Sequence, residues 1–154
     1  MSERAFRFGA AGVAAAGVAV TAYLLAVRAG SAELVCRTGG CETVQSSSYA
    51  EVLGVPVAAL GLASFLAIGV LMLLRSPLAW ATATSLALAA VAFSAYLLIV
   101  QVAVIGEICD WCLVNDALVT LLAALVLLTP TSRSGPSRAR NGRAAPGKRA
   151  GASA

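Results

Sequence analysis

At 154 residues, 60% of them hydrophobic, the chain carries more apolar side chain than a soluble domain of its size can hide. Its net charge of +4 is distributed asymmetrically, with cations at the amino terminus and in the tail, which excludes a nucleic-acid face. It has no histidine, so any acid or base must be water, a carboxylate or a thiol.

Four apolar runs follow one another along the chain, each long enough to mark a membrane span of roughly 18 residues or more. The first, Phe8 to Val27, lies between Arg7 and Arg28. It also has features of a secretory signal peptide, with Arg4 and Arg7 in front and small residues at Ala29-Gly30-Ser31-Ala32. Its uncharged run is longer than a signal peptide's apolar core, which favours a retained helix.

The next stretch, about residues 28–55, is the longest connection and holds Cys36-Arg-Thr-Gly-Gly-Cys41. Gly39 and Gly40 give this turn the freedom to bring two thiols together. Ser48-Tyr-Ala-Glu51 reads as a capping box opening a short helix that Gly54 stops, and such a helix suits the membrane interface. A solvated connector is the competing reading.

Pro56 suits the first turn of the second span, which runs to Leu74. Ser76-Pro77 supplies an N-cap and a first-turn proline for the third span. The fourth span contains Cys109-Asp110-Trp111-Cys112 at its start and Asp116 inside it. Small residues recur throughout, as helix packing in lipid requires.

These elements predict an all-α integral membrane fold: a four-transmembrane-helix bundle with a short interfacial helix in the first outer loop. Residues 1–7 form a cytoplasmic amino terminus and residues 8–130 the membrane domain, with spans at about 8–28, 55–75, 77–105 and 109–129. Residues 131–154, rich in Pro, Gly, Ser and Arg, form a disordered basic cytoplasmic tail that touches anionic lipid. Arg4, Arg7, Arg75, Arg133, Arg138, Arg140, Arg143, Lys148 and Arg149 then lie inside, while Glu33, Glu42, Glu51, Glu107 and Asp110 lie outside with Arg28 and Arg37. This positive-inside pattern puts both cysteine pairs on the non-cytoplasmic face, where disulfides persist.

The C-x-x-C is a spacing at which two thiols open and close a disulfide reversibly. Cys109 falls at or just before the helix start, where unpaired N–H groups and the helix dipole acidify a thiol. Cys112 lies roughly 4–5 Å deeper. Depth divides the roles: Cys109 exchanges with a disulfide from the aqueous side, and Cys112 passes electrons to an acceptor in the bilayer. Cys36 and Cys41 suit a shuttle between an external thiol and Cys109. Asp116, one turn beyond Cys112 on the same side, is an ionisable residue at membrane depth and a candidate proton donor, or simply a solvated one. Ser46, Ser47 and Tyr49 are candidate hydrogen-bond donors to a carbonyl acceptor, and Trp111 is equally an interfacial anchor. Two structural disulfides in a non-catalytic four-helix membrane protein, or a Cys₄ zinc staple, also fit the spacings. No βαβ unit surrounds the C-x-x-C, so a thioredoxin fold is excluded.

Cys41-Glu-Thr-Val-Gln-Ser-Ser-Ser-Tyr-Ala-Glu-Val-Leu-Gly-Val-Pro resembles the loop-to-helix stretch of bacterial vitamin K epoxide reductase homologues, and Ile108-Cys109-Asp-Trp-Cys112-Leu resembles their catalytic motif. The resemblance covers about residues 8–130. It implies a four-helix bundle around a quinone, either ubiquinone or menaquinone, in a bacterial plasma membrane. It also implies that Cys112 faces the quinone, Cys109 forms the interchange disulfide with Cys41, Cys36 meets the external partner, and Ser47 lies near the quinone end. DsbB-type enzymes place the C-x-x-C in the first outer loop, so the order here favours the vitamin K epoxide reductase type. Many bacterial homologues carry a fused thioredoxin-like domain where this chain has a basic tail. The expected thiol donor is therefore a separate thioredoxin-fold (DsbA-like) protein. Vertebrate members have a tyrosine at the position of Asp116, which argues for plain quinone reduction over epoxide reduction. No metal is expected at the site.

Overall fold

The computed structural model describes residues 3–74 and 76–129. Arg75 and the basic tail expected over 131–154 lie outside the described residues.

Four long helices dominate. Helix α1 spans Glu3–Arg28 and ends where Gly30 takes a φ of 71°. After the loop and the short α2 (Cys41–Ser46) come α3 (Val57–Leu73) and α4 (Pro77–Ile99). Ser76 and Pro77 open α4 as expected, with the Trp80 N–H closing the first turn on the Ser76 carbonyl at 3.1 Å. A π-helical turn, Val100–Ile105, extends α4 until Gly106 (φ 75°) breaks it. Helix α5 spans Asp110–Leu128 with Cys109 as its N-cap.

Arg4–Arg28, Pro77–Ile105 and Asp110–Leu128 are long and apolar enough to cross a membrane. Helix α3 is equally apolar but shorter, at 17 residues. The helices pack in a closed ring, α1 on α3, α3 on α4, α4 on α5 and α5 on α1. Small side chains let the backbones approach: Ala10 and Ala14 of α1, Ala83 and Ala87 of α4, and Ala123 of α5 are all buried. Phe65, Ile68 and Met72 of α3 and Leu122 and Val126 of α5 fill the space between them. Gly17 has a specific reason to be glycine, because a Cβ there would lie 2.4 Å from the Phe65 ring. The outward faces remain apolar, with Leu66, Val70, Leu88, Ile99 and Leu121 exposed, a surface suited to lipid rather than water.

At the end away from the cysteines, the Arg7 guanidinium donates to the Met72 and Leu74 carbonyls at 2.8 and 3.0 Å, satisfying acceptors left over by the end of α3. The Trp80 indole donates to the Val126 carbonyl at 3.2 Å and ties α4 to α5.

The loop between α1 and α3 departs from expectation. The short helix forms over Cys41–Ser46, earlier than the Ser48 start read from the sequence. Ser48–Ala50 make only a 3₁₀ turn. A two-strand hairpin follows, β1 (Glu51–Val52) and β2 (Val55–Pro56), with Val52 opposite Val55. Two local facts explain the change. Leu53 and Gly54 both take positive φ, 52° and 82°, the pattern of a two-residue hairpin turn rather than a helix stop. Glu51 reaches the Arg28 guanidinium in an ion pair, so it is not available to close a capping box.

Candidate active site

The site is built where the α1–α3 loop meets the start of α5. Cys36 and Cys41 are joined as a disulfide. Cys109 and Cys112 are free thiols. The described residues thus hold one closed pair and one open pair. Cys41 and Cys109 are both fully buried, and Cys36 and Cys112 are partly accessible.

The loop is fastened to the C-x-x-C segment residue by residue. Asp110 Oδ2 accepts the Arg37 N–H at 2.8 Å and the Thr38 N–H at 3.1 Å, and lies 3.8 Å from Cys36 Sγ. Thr38 Oγ1 donates to the Ile108 carbonyl at 2.8 Å. The Trp111 indole donates to the Val35 carbonyl at 2.7 Å, and its ring packs on Tyr23 with centroids 4.8 Å apart. Tyr23 in turn donates to the Glu33 carbonyl and accepts from the Val35 N–H. Trp111 thus clamps the loop. Gly40 lies so close to the next segment that a Cβ would meet the Ile108 carbonyl oxygen at 2.6 Å. Its lack of a side chain brings the residue beside Cys41 against the residue beside Cys109.

Cys109 is the acidified thiol of the pair. The Cys112 thiol donates to it, and the N–H groups of Cys112 and Trp111 add to that stabilisation of the thiolate. Burial and the neighbouring Asp110 charge oppose them, and the balance lowers the Cys109 thiol to about 7 from the usual 9.0. The Cys112 N–H lies 3.4 Å from Cys109 Sγ, the side-chain cap that opens α5.

On its other side Cys112 lines a cavity of about 150 Å³ between the helices. A largely apolar cavity of roughly that volume holds one six-membered ring. Phe65, Ile68, Leu97 and Val119 form apolar wall, and Ser47, Asp116, Asn115 and Gln101 contribute polar atoms. Asp116 is hydrogen-bonded to Ser94, a neighbour on α4 that also lines the cavity. Ser47 lines it too, with its hydroxyl donated to the Val44 carbonyl at 2.7 Å. Tyr49 is part of the rim, whereas Ser46 is exposed, donates to the Glu42 carbonyl and takes no part.

Residues 9–127 match the sequence model of the Vitamin K epoxide reductase family. The chain belongs to that family. Membership makes it an oxidoreductase of a quinone-associated membrane family, and the apolar helices fit a membrane protein.

For a member of this family the question is whether these residues suit a quinone. Among the described residues two buried side-chain polar atoms lack a hydrogen-bond partner, Gln101 Nε2 and Asn115 Oδ1, and both residues line the cavity beside Cys112. A flat apolar ring bearing oxygen atoms fits such a wall. The metal alternative fares less well. Among the described residues the cluster within metal-ligand reach is Cys36, Cys41 and Asp110, with ligand atoms within 4.8 Å of one another, and not the four cysteines together. Two of those three are consumed by the disulfide.

Sequence reading did not single out Ser94, Gln101 or Asn115, and counted Asp110 only as an outer acid. Gln101 and Asn115 did carry a signal, being amides inside otherwise apolar runs. Ser94 carried none, because serine and threonine recur throughout the spans.

Proposed function

We propose that this protein is a membrane thiol–quinone oxidoreductase supporting disulfide formation outside the cytoplasm. Four transmembrane helices, α1, α3, α4 and α5, carry it, with both termini cytoplasmic and both cysteine pairs on the extracytoplasmic face of a bacterial plasma membrane. The charge asymmetry supports that orientation. The short helix and hairpin of the loop then lie at the interface above the cavity.

The observation that carries the reading is the position of the Cys109/Cys112 pair. On one side Asp110, within the motif, holds the loop that carries the Cys36–Cys41 disulfide, and on the other Cys112 lines the ring-sized cavity.

Electrons enter from a separate thioredoxin-fold protein, whose dithiol reduces the Cys36–Cys41 disulfide through Cys36, the accessible member. Cys41 as thiolate attacks Cys109 in a Cys109–Cys112 disulfide, forming a Cys41–Cys109 bond and releasing Cys112. Cys36 then attacks Cys41, restoring the loop disulfide and releasing Cys109. The Cys109/Cys112 dithiol gives up two electrons and two protons when it closes again, the complement that turns a quinone into a hydroquinone. Cys112 faces the cavity for that transfer. Asp116 Oδ1, bonded to Ser94, is the group on the wall suited to hold a proton.

Quinone reduction by purified protein, driven by a reduced thioredoxin-fold donor, tests the proposal. Turnover should disappear in Cys112→Ala. Folded wild-type protein that reduces neither ubiquinone nor menaquinone analogues would overturn it.

A further inference from the structure

Two buried polar atoms without partners in one cavity call for an explanation. An unmade hydrogen bond on a buried polar group destabilises a fold, and native proteins keep few of them. Gln101 is only 3% exposed, and its Nε2 has no acceptor. It sits in the π-helical turn Val100–Ile105, whose altered pitch re-aims side chains and which recurs at functional sites. Asn115, one helical turn after Cys112, offers an Oδ1 with no donor. The two side chains come from different helices, α4's extension and α5, and line the same cavity as Cys112. One is a donor and the other an acceptor.

That opposition matches the two redox states of a quinone. A carbonyl oxygen only accepts hydrogen bonds, whereas a hydroquinone hydroxyl also donates. We propose that Gln101 Nε2 donates to a carbonyl of the bound quinone, and that Asn115 Oδ1 accepts a hydrogen bond from a hydroxyl of the hydroquinone. Gln101 therefore orients the oxidised ring beside Cys112, and Asn115 gains its partner only when the ring is reduced. The assignment rests on the quinone reading above and names two ligand-binding residues for it.

The test combines binding, infrared spectroscopy and thermal unfolding of the full chain in detergent, with a ubiquinone analogue ¹³C-labelled at one carbonyl carbon or the other. In wild type the stretch of one labelled carbonyl should shift downward on binding. Gln101→Leu, close in volume but without a donor, should abolish that shift and weaken quinone binding about tenfold. Asn115→Leu should leave the quinone spectrum and affinity nearly unchanged but weaken hydroquinone binding by a similar factor. Each substitution should hold or raise the Tm of the ligand-free protein, because it removes a buried atom without a partner. Amides with a purely structural role would give the reverse: a lowered Tm and an unchanged carbonyl band. Binding by wild type with an identical band in Gln101→Leu overturns the assignment alone. If wild type binds neither menaquinone nor ubiquinone analogues, the quinone reading falls and takes this inference with it.

Discussion

The carboxylate of Asp110 holds the backbone N–H of Arg37 at 2.8 Å, across 73 residues of sequence. A residue inside the C-x-x-C is thereby fastened to the loop that carries the other cysteine pair. A second N–H, from Thr38, converges on the same oxygen. Charge-assisted bonds of this kind are the strong ones, and here they join the segments that carry two cysteine pairs far apart in the chain.

Asp110→Ala should therefore slow exchange between the pairs about tenfold or more, through loss of loop docking, while costing the fold only about 1–2 kcal/mol at this half-exposed position. Asp110→Asn keeps an oxygen acceptor and should recover part of the rate. The measurement is the rate at which a Cys41–Cys109 bond accumulates in a Cys36→Ser, Cys112→Ser background, with a small-molecule disulfide added as the oxidant. Equal rates in all three proteins would remove Asp110 from the docking.

Gly40→Ala places a methyl 2.6 Å from the Ile108 carbonyl oxygen, a backbone atom that cannot turn aside. The loop must lift to accommodate it. The same trapping assay should show a loss as large as that of Asp110→Ala, with a small change in Tm, since the helix ring below is untouched. Gly39, whose Cβ would meet nothing within 4 Å, instead needs glycine for its φ of 86°.

The Cys109 thiol, at about 7 against an ordinary 9.0, should titrate in the neutral range. At pH 8 about nine-tenths of it is thiolate, against about one-tenth for an unshifted thiol. Reactivity of Cys109 should therefore rise between pH 6 and 8 and level off above, read as thiolate absorbance in protein that keeps Cys112. Because the folded value is lowered, the thiolate's contribution to stability is full above the unfolded value and is lost as pH falls through about 7. Cys112→Ala removes the largest cause of the shift and should move the midpoint upward. Cys112→Ser keeps a donor and should move it less.

Gly17→Ala tests the helix ring independently of the chemistry. Its Cβ would overlap the buried Phe65 ring at 2.4 Å, so α1 and α3 must separate or Phe65 must leave its rotamer. A loss of about 1–3 kcal/mol is expected, measured by thermal unfolding in detergent. Gly12, with nothing within 4 Å, is the matched control and should tolerate alanine.

Much of this was legible in the chain. Apolar runs bounded by Arg28, Ser76-Pro77 and Gly106 set where helices stop and start, because breaking rules are local. The two cysteine spacings, with Cys109 leading into an apolar run, set the kind of chemistry. The loop was read less well. Ser48 and Glu51 have the spacing of a capping box, but Glu51 is drawn to Arg28, 23 residues away, and Leu53-Gly54 turns the chain into a hairpin. A local motif lost to a distant charge and a turn.

What the sequence by itself determined is the membrane-like helical architecture and the two close-spaced cysteine pairs, since both follow from hydropathy and short-range spacing. Only the tertiary structure decided which residues meet. Asp110 became a clamp, Trp111 a tether, and Ser94 the partner of Asp116 across two helices. Gln101 and Asn115 became a donor and an acceptor facing one cavity. Such pairings depend on how helices are rotated against one another, and that rotation is set by the summed packing of side chains such as Phe65 against Gly17, which no local pattern encodes.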